Sequence, residues 1–273
     1  MTNYVHGYAD REAQRLTDQA STLVELLHSD TRFPPGVSIL EAGCGVGAQT
    51  VTLALQNPEA RIIAIDVSAD SLRRAAQRCS EAGIENVTFE QGDIFDLRYA
   101  DASFDHVFVC FVLEHLAAPV DALRALLRVL KPTGTMSVIE GDHGSTFFHP
   151  DSGSARAAIG CQVALQAAAG GNANIGRELY PLMSEAGLDE VTVSPRHVYV
   201  DGSRPDWIEG FTRNTFTPMI EGVRDAALAA GLVNSSEFDM GIRDLYRTAE
   251  ADGVFSYMFF KATGRRETTE VSC

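Results

Sequence analysis

The chain has few cysteines, one tryptophan, no long apolar run and no surplus of positive charge, and each lack removes a class of function. Its five cysteines, Cys44, Cys79, Cys110, Cys161 and Cys273, are scattered without a C-x-x-C pair or a pairing rhythm. Cys44 sits among glycines and Cys110 in an apolar run, poor places for a bridge or a zinc ligand. No disulfide framework and no metal site are expected, and the usage fits a reducing, cytoplasmic compartment. No apolar stretch approaches the roughly 20 residues of a membrane-spanning helix. The opening MTNYVHGYADRE lacks the basic-then-apolar order of a signal peptide. With 22 Lys and Arg against 37 Asp and Glu, the formal net charge is −15. That surface repels phosphate backbones and anionic lipid, so neither nucleic acid nor membrane is an expected partner.

What is present is a rhythm. SILEAG (38–43), RIIAID (61–66), VTFEQ (87–91), FDHVFVCF (104–111) and TMSVIE (135–140) read as strands. Helical patterns over 47–56, 68–82 and 120–130 alternate with them. Strands that are nearly all apolar and alternate with helices predict a parallel sheet covered on both faces, an α/β doubly wound fold. A helix from Asp10 to Leu27 precedes it, and Lys131–Gly134 reads as a turn. After Glu140 the rhythm breaks: residues 141–176 are rich in Gly, Ala, Ser and Asn, with helical spacing from Ala155 to Ala169. A helix over 177–188, a strand over 189–200, a helical stretch over 203–250 and a last strand over 253–264 follow. Phe238, Ile242, Leu245 and Ala249 form one core-facing stripe. The expected organisation is an N-terminal helical lid (1–35), a ligand-binding core (36–140), the rest of the sheet with helical insertions (141–264) and a loose tail (265–273).

The chemistry begins at ILEAGCGVGAQT (39–50). Between a strand and a helix, glycines bare the backbone to a ligand, and the helix N-terminus offers unpaired N–H groups. Gly43, Gly45 and Ala48 satisfy the G-x-G-x-x-A count of dinucleotide sites, which keeps a nicotinamide oxidoreductase open. Glu41, two residues before the turn, suits a ligand with a positive centre. Asp66 ends the second strand, where a carboxylate takes ribose hydroxyls; both ligand classes carry that ribose. Gly92-Asp93-Ile94 follows the third strand, where an acid accepts from an adenine amino group and the next N–H meets a ring nitrogen. Ser103-Phe104-Asp105 opens the fourth.

In that order and spacing, Glu41–Gly47, Asp66, Gly92-Asp93 and Ser103–Asp105 resemble the motif series of class I S-adenosylmethionine-dependent methyltransferases. The resemblance covers residues 36–140 and implies a seven-stranded, mostly parallel Rossmann-like sheet whose last strand is antiparallel. It implies S-adenosylmethionine as donor and S-adenosylhomocysteine as product. Gly43, Gly45 and Gly47 would back the methionine moiety, Glu41 would lie near its ammonium, and Asp66 would hold the ribose. Asp93 and Ile94 would hold the adenine, and the Cys110 carbonyl would lie by the sulfonium. The opening segment and FPPG are similar to a subgroup acting on small metabolites, some of whose members methylate indole carbon. The acceptor is thus expected to be a small aromatic or heteroaromatic molecule.

A carbon or hydroxyl acceptor must lose a proton. His143, in EGDHG beyond the fifth strand, is the candidate base, with Asp142 beside it to orient the ring. Glu114-His115 is the second candidate pair, also readable as a helix turn with outward polar residues. Tyr4 and Tyr8, near His6, are candidates to cover the pocket and face a sulfonium. Trp207 and Phe211 are candidates to wall the acceptor. A non-catalytic nucleoside-binding protein of this fold stays open, as does an enzyme of the fold that has left methyl transfer. The N-terminal helix has an apolar face that fits its own core or a second copy of the chain.

Overall fold

The structure, a computed structural model, describes residues 22–267. One seven-stranded sheet organises it, in the order β3-β2-β1-β4-β5-β7-β6. The strands are β1 (Ser38–Ala42), β2 (Arg61–Asp66), β3 (Val87–Gln91), β4 (Phe104–Cys110), β5 (Leu130–His149), β6 (Asp189–Val200) and β7 (Val254–Arg265). The first five pair in parallel, whereas β7 is antiparallel to both β5 and β6. The expected sheet is the observed one.

Both faces of the sheet's centre are dry, whereas the edge strand β3 has no buried residue. Ile39 and Leu40 are each fully buried, but neighbouring residues of a strand point to opposite faces, and they join different cores. Phe108 and Ile139 fill the Ile39 side, while Val107, Val109 and Val138 fill the other. The covering helices are α1 (Val24–His28), α2 (Ala48–Gln56), α3 (Ala69–Glu81), α4 (Pro119–Val129), α5 (Gly153–Ala168) and α6 (Leu179–Ala186). Local chemistry starts them: the Ser68 hydroxyl accepts the Ser71 N–H at 3.2 Å, and Pro119 opens α4 with its φ already set.

Three expectations change. First, the fifth strand does not stop at Glu140; β5 runs to His149, with its register shifted between Asp142 and Phe147. Gly, Asp and Ser there have little strand propensity of their own, and the ladder to β7 holds them extended. A domain boundary at residue 140 therefore cuts a strand. Second, Lys131–Gly134 is an irregularity within β5: Phe104 pairs with Leu130 and His106 with Thr135. Third, residues 265 and 266 are not loose. Arg265 closes β7, and the Arg266 guanidinium donates to the Leu127 and Arg128 carbonyls at the end of α4, at 3.2 and 2.8 Å. The N-terminal helix is described only from residue 22, and the rest of it lies outside the described residues.

The helical stretch after β6 comprises α7 (Pro205–Trp207), a π-helical segment (Ile208–Phe216), α8 (Thr217–Glu221), α9 (Arg224–Ala229) and α10 (Ser235–Arg247). The stripe Phe238, Ile242, Leu245 and Ala249 is buried, as its spacing requires. A polar knot centred on the exposed Asp30 ties the segment after α1 to the sheet. Lys261 on β7 donates to Asp30 at 2.6 Å and to Thr31 at 2.7 Å, and Arg196 on β6 holds the other Asp30 oxygen at 2.5 Å. Among the described residues no helix is long and apolar enough to cross a membrane.

Candidate active site

Strands β1, β2, β3 and β4 all end at one edge, and the order reverses between β1 and β4. Open α/β sheets bind ligands at that point. Here β1 delivers Glu41 and the glycine turn. The turn is anchored from β2, because the N–H groups of Gly43 and Cys44 both donate to the Ile65 carbonyl, at 2.8 and 2.9 Å. Gly47 starts α2 with φ +78°, and a Cβ there would lie 2.8 Å from the Ala75 side chain. Gly45 also has positive φ, yet nothing lies within 4 Å of its would-be Cβ. The turn is thus packed on one side and open on another.

Asp66 closes β2 beside this opening. Its two oxygens accept the Gly45 N–H at 2.9 Å and the Ser68 N–H at 2.8 Å, so it shapes the turn it faces. Burial raises its carboxyl above the usual range. Glu41 is 2% exposed, and its Oε2 has no hydrogen-bond partner among the described residues. Burial pushes Glu41 up to about 7. A buried carboxylate oxygen without a partner is costly, and a cation arriving there would remove the cost.

Asp93 stays exposed and accepts the Phe95 N–H at 2.9 Å, turning the chain after β3, while Ile94 is buried beneath it. Cys110 ends β4 half-buried, and burial raises its thiol. Asp105 has a different station. At the opposite edge of the sheet it accepts the Ser38 N–H at 2.8 Å and the Lys131 ammonium at 2.9 Å. That member of the motif series builds the fold and stands away from the site.

The second half of the sheet supplies His143. It sits in the irregular part of β5, 5% exposed, and its Nδ1 lies 3.0 Å from the Ala173 carbonyl oxygen. A carbonyl only accepts, so Nδ1 is the donor in this bond, and in the neutral form of the ring the lone pair is on Nε2. The Tyr257 hydroxyl is 3.2 Å from Nδ1, and the two rings meet edge-on at 5.6 Å. Gly141 makes room for that hydroxyl, because a Cβ there would come within 2.3 Å of it. Asp142 does not orient the histidine. Both its oxygens are taken by Arg177, at 2.7 and 2.6 Å. The ring is instead set by a carbonyl and a tyrosine from elements remote in sequence.

Glu114 and His115 form a 3-10 turn, and they do not point outward as the helix-turn reading requires. Their side chains are 14% and 20% exposed, 3.4 Å apart, and Gln166 of α5 donates to the Glu114 carbonyl at 2.9 Å. Phe211 is 1% exposed, in one aromatic cluster with Phe216, Tyr257 and Phe259. Phe216 in turn lies 6.1 Å from the His143 ring. Trp207 is half-buried, with the Arg204 guanidinium 4.9 Å over its ring. Tyr4, His6 and Tyr8 lie outside the described residues. The sequence reading missed Tyr257 and Glu140. An acid ending the apolar run SVIE was the available signal for the latter.

A methyltransferase domain model matches residues 34–187, more than half of the chain. The chain belongs to the methyltransferase domain family. The match spans the glycine turn, Asp66, Asp93 and His143. Among this methyltransferase's relatives, the 27-O-demethylrifamycin SV methyltransferase of Amycolatopsis mediterranei is 28% identical over 83% of the chain and 78% of that protein. A 37.1 kDa protein in transposon TN4556 of Streptomyces fradiae is 34% identical over 77% of the chain, which spans 59% of that protein's length. In fold, the crystal structure of the [4+2]-cyclase SpnF superposes with a TM-score of 0.57 at 22% identity, over 92% of this chain and 82% of that one. The donor that the class I fold implies, S-adenosylmethionine, fits the residues present. The unpartnered Glu41 oxygen suits its ammonium, the open side of Gly45 leaves space, and Asp66 has two further lone pairs for ribose hydroxyls.

Proposed function

We propose that this methyltransferase transfers a methyl group from S-adenosylmethionine to a small aromatic or heteroaromatic acceptor, with an indole carbon as one candidate and an oxygen or nitrogen of another small metabolite as the alternative. The observation that carries the donor half is the buried Glu41 oxygen without a partner beside an open glycine turn. The donor supplies an electrophilic methyl group, so the protein's task is to align, to keep dry and to take a proton. Glu41, Gly43, Gly45 and Gly47 hold the methionine end. Asp66 takes the ribose, Asp93 and Ile94 the adenine, and the Cys110 carbonyl stands near the reacting sulfur.

The aromatic cluster around His143 supports an aromatic acceptor, since rings of this kind pair at 4.5–7 Å. When bound, the donor would supply an electrophilic methyl group whose bonding electron pair would stay on sulfur as the acceptor takes it. The acceptor's proton then passes to His143 Nε2, which the Nδ1–H···O=C bond to Ala173 leaves with its lone pair.

Calorimetric titration with S-adenosylhomocysteine, with NADH as control, tests the donor. Binding of NADH alone would return the glycine turn to the dinucleotide reading. With the donor established, aromatic metabolites, indoles first, are screened for a labelled methyl. His143→Ala is then expected to lower turnover about 10²–10⁴-fold while donor affinity stays within a factor of two or so; unchanged turnover removes His143 as base. A second reading, an enzyme of the fold acting without methyl transfer, draws support from the likeness to a protein described as a cyclase. It predicts donor binding with no transfer to any acceptor.

A further inference from the structure

The end of β4 carries a local strain, and a buried acid holds it. Phe111 has φ +58°, a left-handed conformation that costs a residue with a Cβ about 1–2 kcal/mol. The next two backbone N–H groups, of Val112 and Leu113, both donate to one oxygen of Glu140, at 2.9 and 2.7 Å. Glu140 is 0% exposed. Val112, fixed in this way, lies against the glycine turn: a Cβ built on Gly43 would come within 2.6 Å of Val112 Cγ2. The bare backbone at Gly43 is thus filled by the Val112 side chain, and Val112 is placed by Glu140.

We infer that Glu140 is a positioning residue for donor binding, which clamps Val112 and Leu113 so that Val112 closes on Gly43 and shapes the methionine end of the pocket. This rests on the reading of the site as a donor pocket. Glu140 touches no ligand in this scheme and acts through the two amides. Among the described residues the second Glu140 oxygen is buried without a hydrogen-bond partner, and burial raises the carboxyl well above its ordinary range, so a polar group is kept where an apolar side chain would cost less. The two amide bonds are the return on that cost, because one carboxyl oxygen satisfies two N–H groups that would otherwise be left unpaired beside the strained Phe111.

The test uses two probes on the full chain. S-adenosylhomocysteine carries the amino-acid end; 5′-methylthioadenosine carries the nucleoside and sulfur without it. Glu140→Ala is expected to weaken S-adenosylhomocysteine at least about tenfold, the factor that the loss of both amide hydrogen bonds gives, and to leave methylthioadenosine within about twofold. Glu140→Gln keeps an accepting oxygen for both amides and is expected to restore most of the lost affinity. Hydrogen exchange at Val112 and Leu113 should quicken in the alanine variant and stay near wild type in the glutamine one. Equal loss of both probes in Glu140→Ala, or no loss of either, overturns the inference. So does a glutamine variant that binds as poorly as alanine with both amides still protected, since the charge itself would then act on the donor. A wild-type protein that binds neither probe rejects the donor reading itself, a separate outcome.

Discussion

The two halves of the sheet meet at β4 and β5 and work by different means. From β3 to β4 the strands are five to seven residues long, parallel, and stop at a common edge. Beyond them β5 spans 20 residues, and β6 and β7 span 12 each, in antiparallel ladders. Short parallel strands leave turns at their ends, and the turns present backbone groups and carboxylates. Long antiparallel strands keep their backbone groups paired and present side chains instead. The first half therefore offers Glu41, Asp66 and bare glycines, and the second offers His143, Tyr257 and phenylalanines. In our reading one half grips the donor by its polar groups and the other walls the acceptor with rings.

The division predicts that changes in the first half act on donor affinity. The largest effect is expected from Asp66→Ala, which removes the proposed ribose acceptor together with the partner of Gly45 and Ser68. S-adenosylhomocysteine affinity should fall about 100-fold, and unchanged affinity by calorimetry would contradict the assignment. Next is Gly47→Ala. With φ +78° and Ala75 2.8 Å from the new Cβ, the fold should lose about 2 kcal/mol, read as a lower denaturant midpoint.

Glu41 sharpens the contrast through pH. Its carboxyl lies at about 7 in the fold against an ordinary 4.5, so between those values the folded protein holds a proton that the unfolded chain has released. Its contribution to stability therefore declines as pH rises through that window. Glu41→Gln should gain on wild type in melting temperature from pH 5 to 7.5, and a constant difference would refute the burial argument. The donor's ammonium should also expel that proton. Titration with S-adenosylhomocysteine at pH 6 in buffers of differing ionisation enthalpy should show its release. The smallest effect belongs to the second half: Gly160, inside α5 with open space at its would-be Cβ, should accept Ala with a gain of about 0.5–1 kcal/mol.

The same division decides what was readable in the sequence. Strands β1, β2 and β4 could be placed because each is a largely apolar run bounded by its own turn, and β3, the polar edge strand VTFEQ, by its place in the alternation; Glu41, Asp66 and Asp93 sit at or near those boundaries. The continuation of β5 through GDHGSTFFH could not, because its extended state comes from pairing with β7, more than a hundred positions away along the chain. Asp142 beside His143 suggested a partnership; a guanidinium 35 positions on claims the acid instead. Trp207 and Phe211 share one short stretch, but only the contacts of the π-helical segment separate a half-buried ring from a fully buried one. Adjacency in sequence misleads where a side chain's partners are non-local.

The position of β7 between β5 and β6 has a consequence for how the protein is made. Among the described residues strand β6 pairs with β7 alone, so it has no partner in the sheet until residues 254–265 have been synthesised. The Lys261 knot makes residues 27–31 wait for the same segment. The parallel half can assemble on the ribosome as it emerges, while the other half stays open-edged until β7 is inserted. The wall around His143 therefore cannot close before Tyr257 has been made, and a nascent chain that ends before residue 254 leaves the end of β5 without the partner that holds it extended.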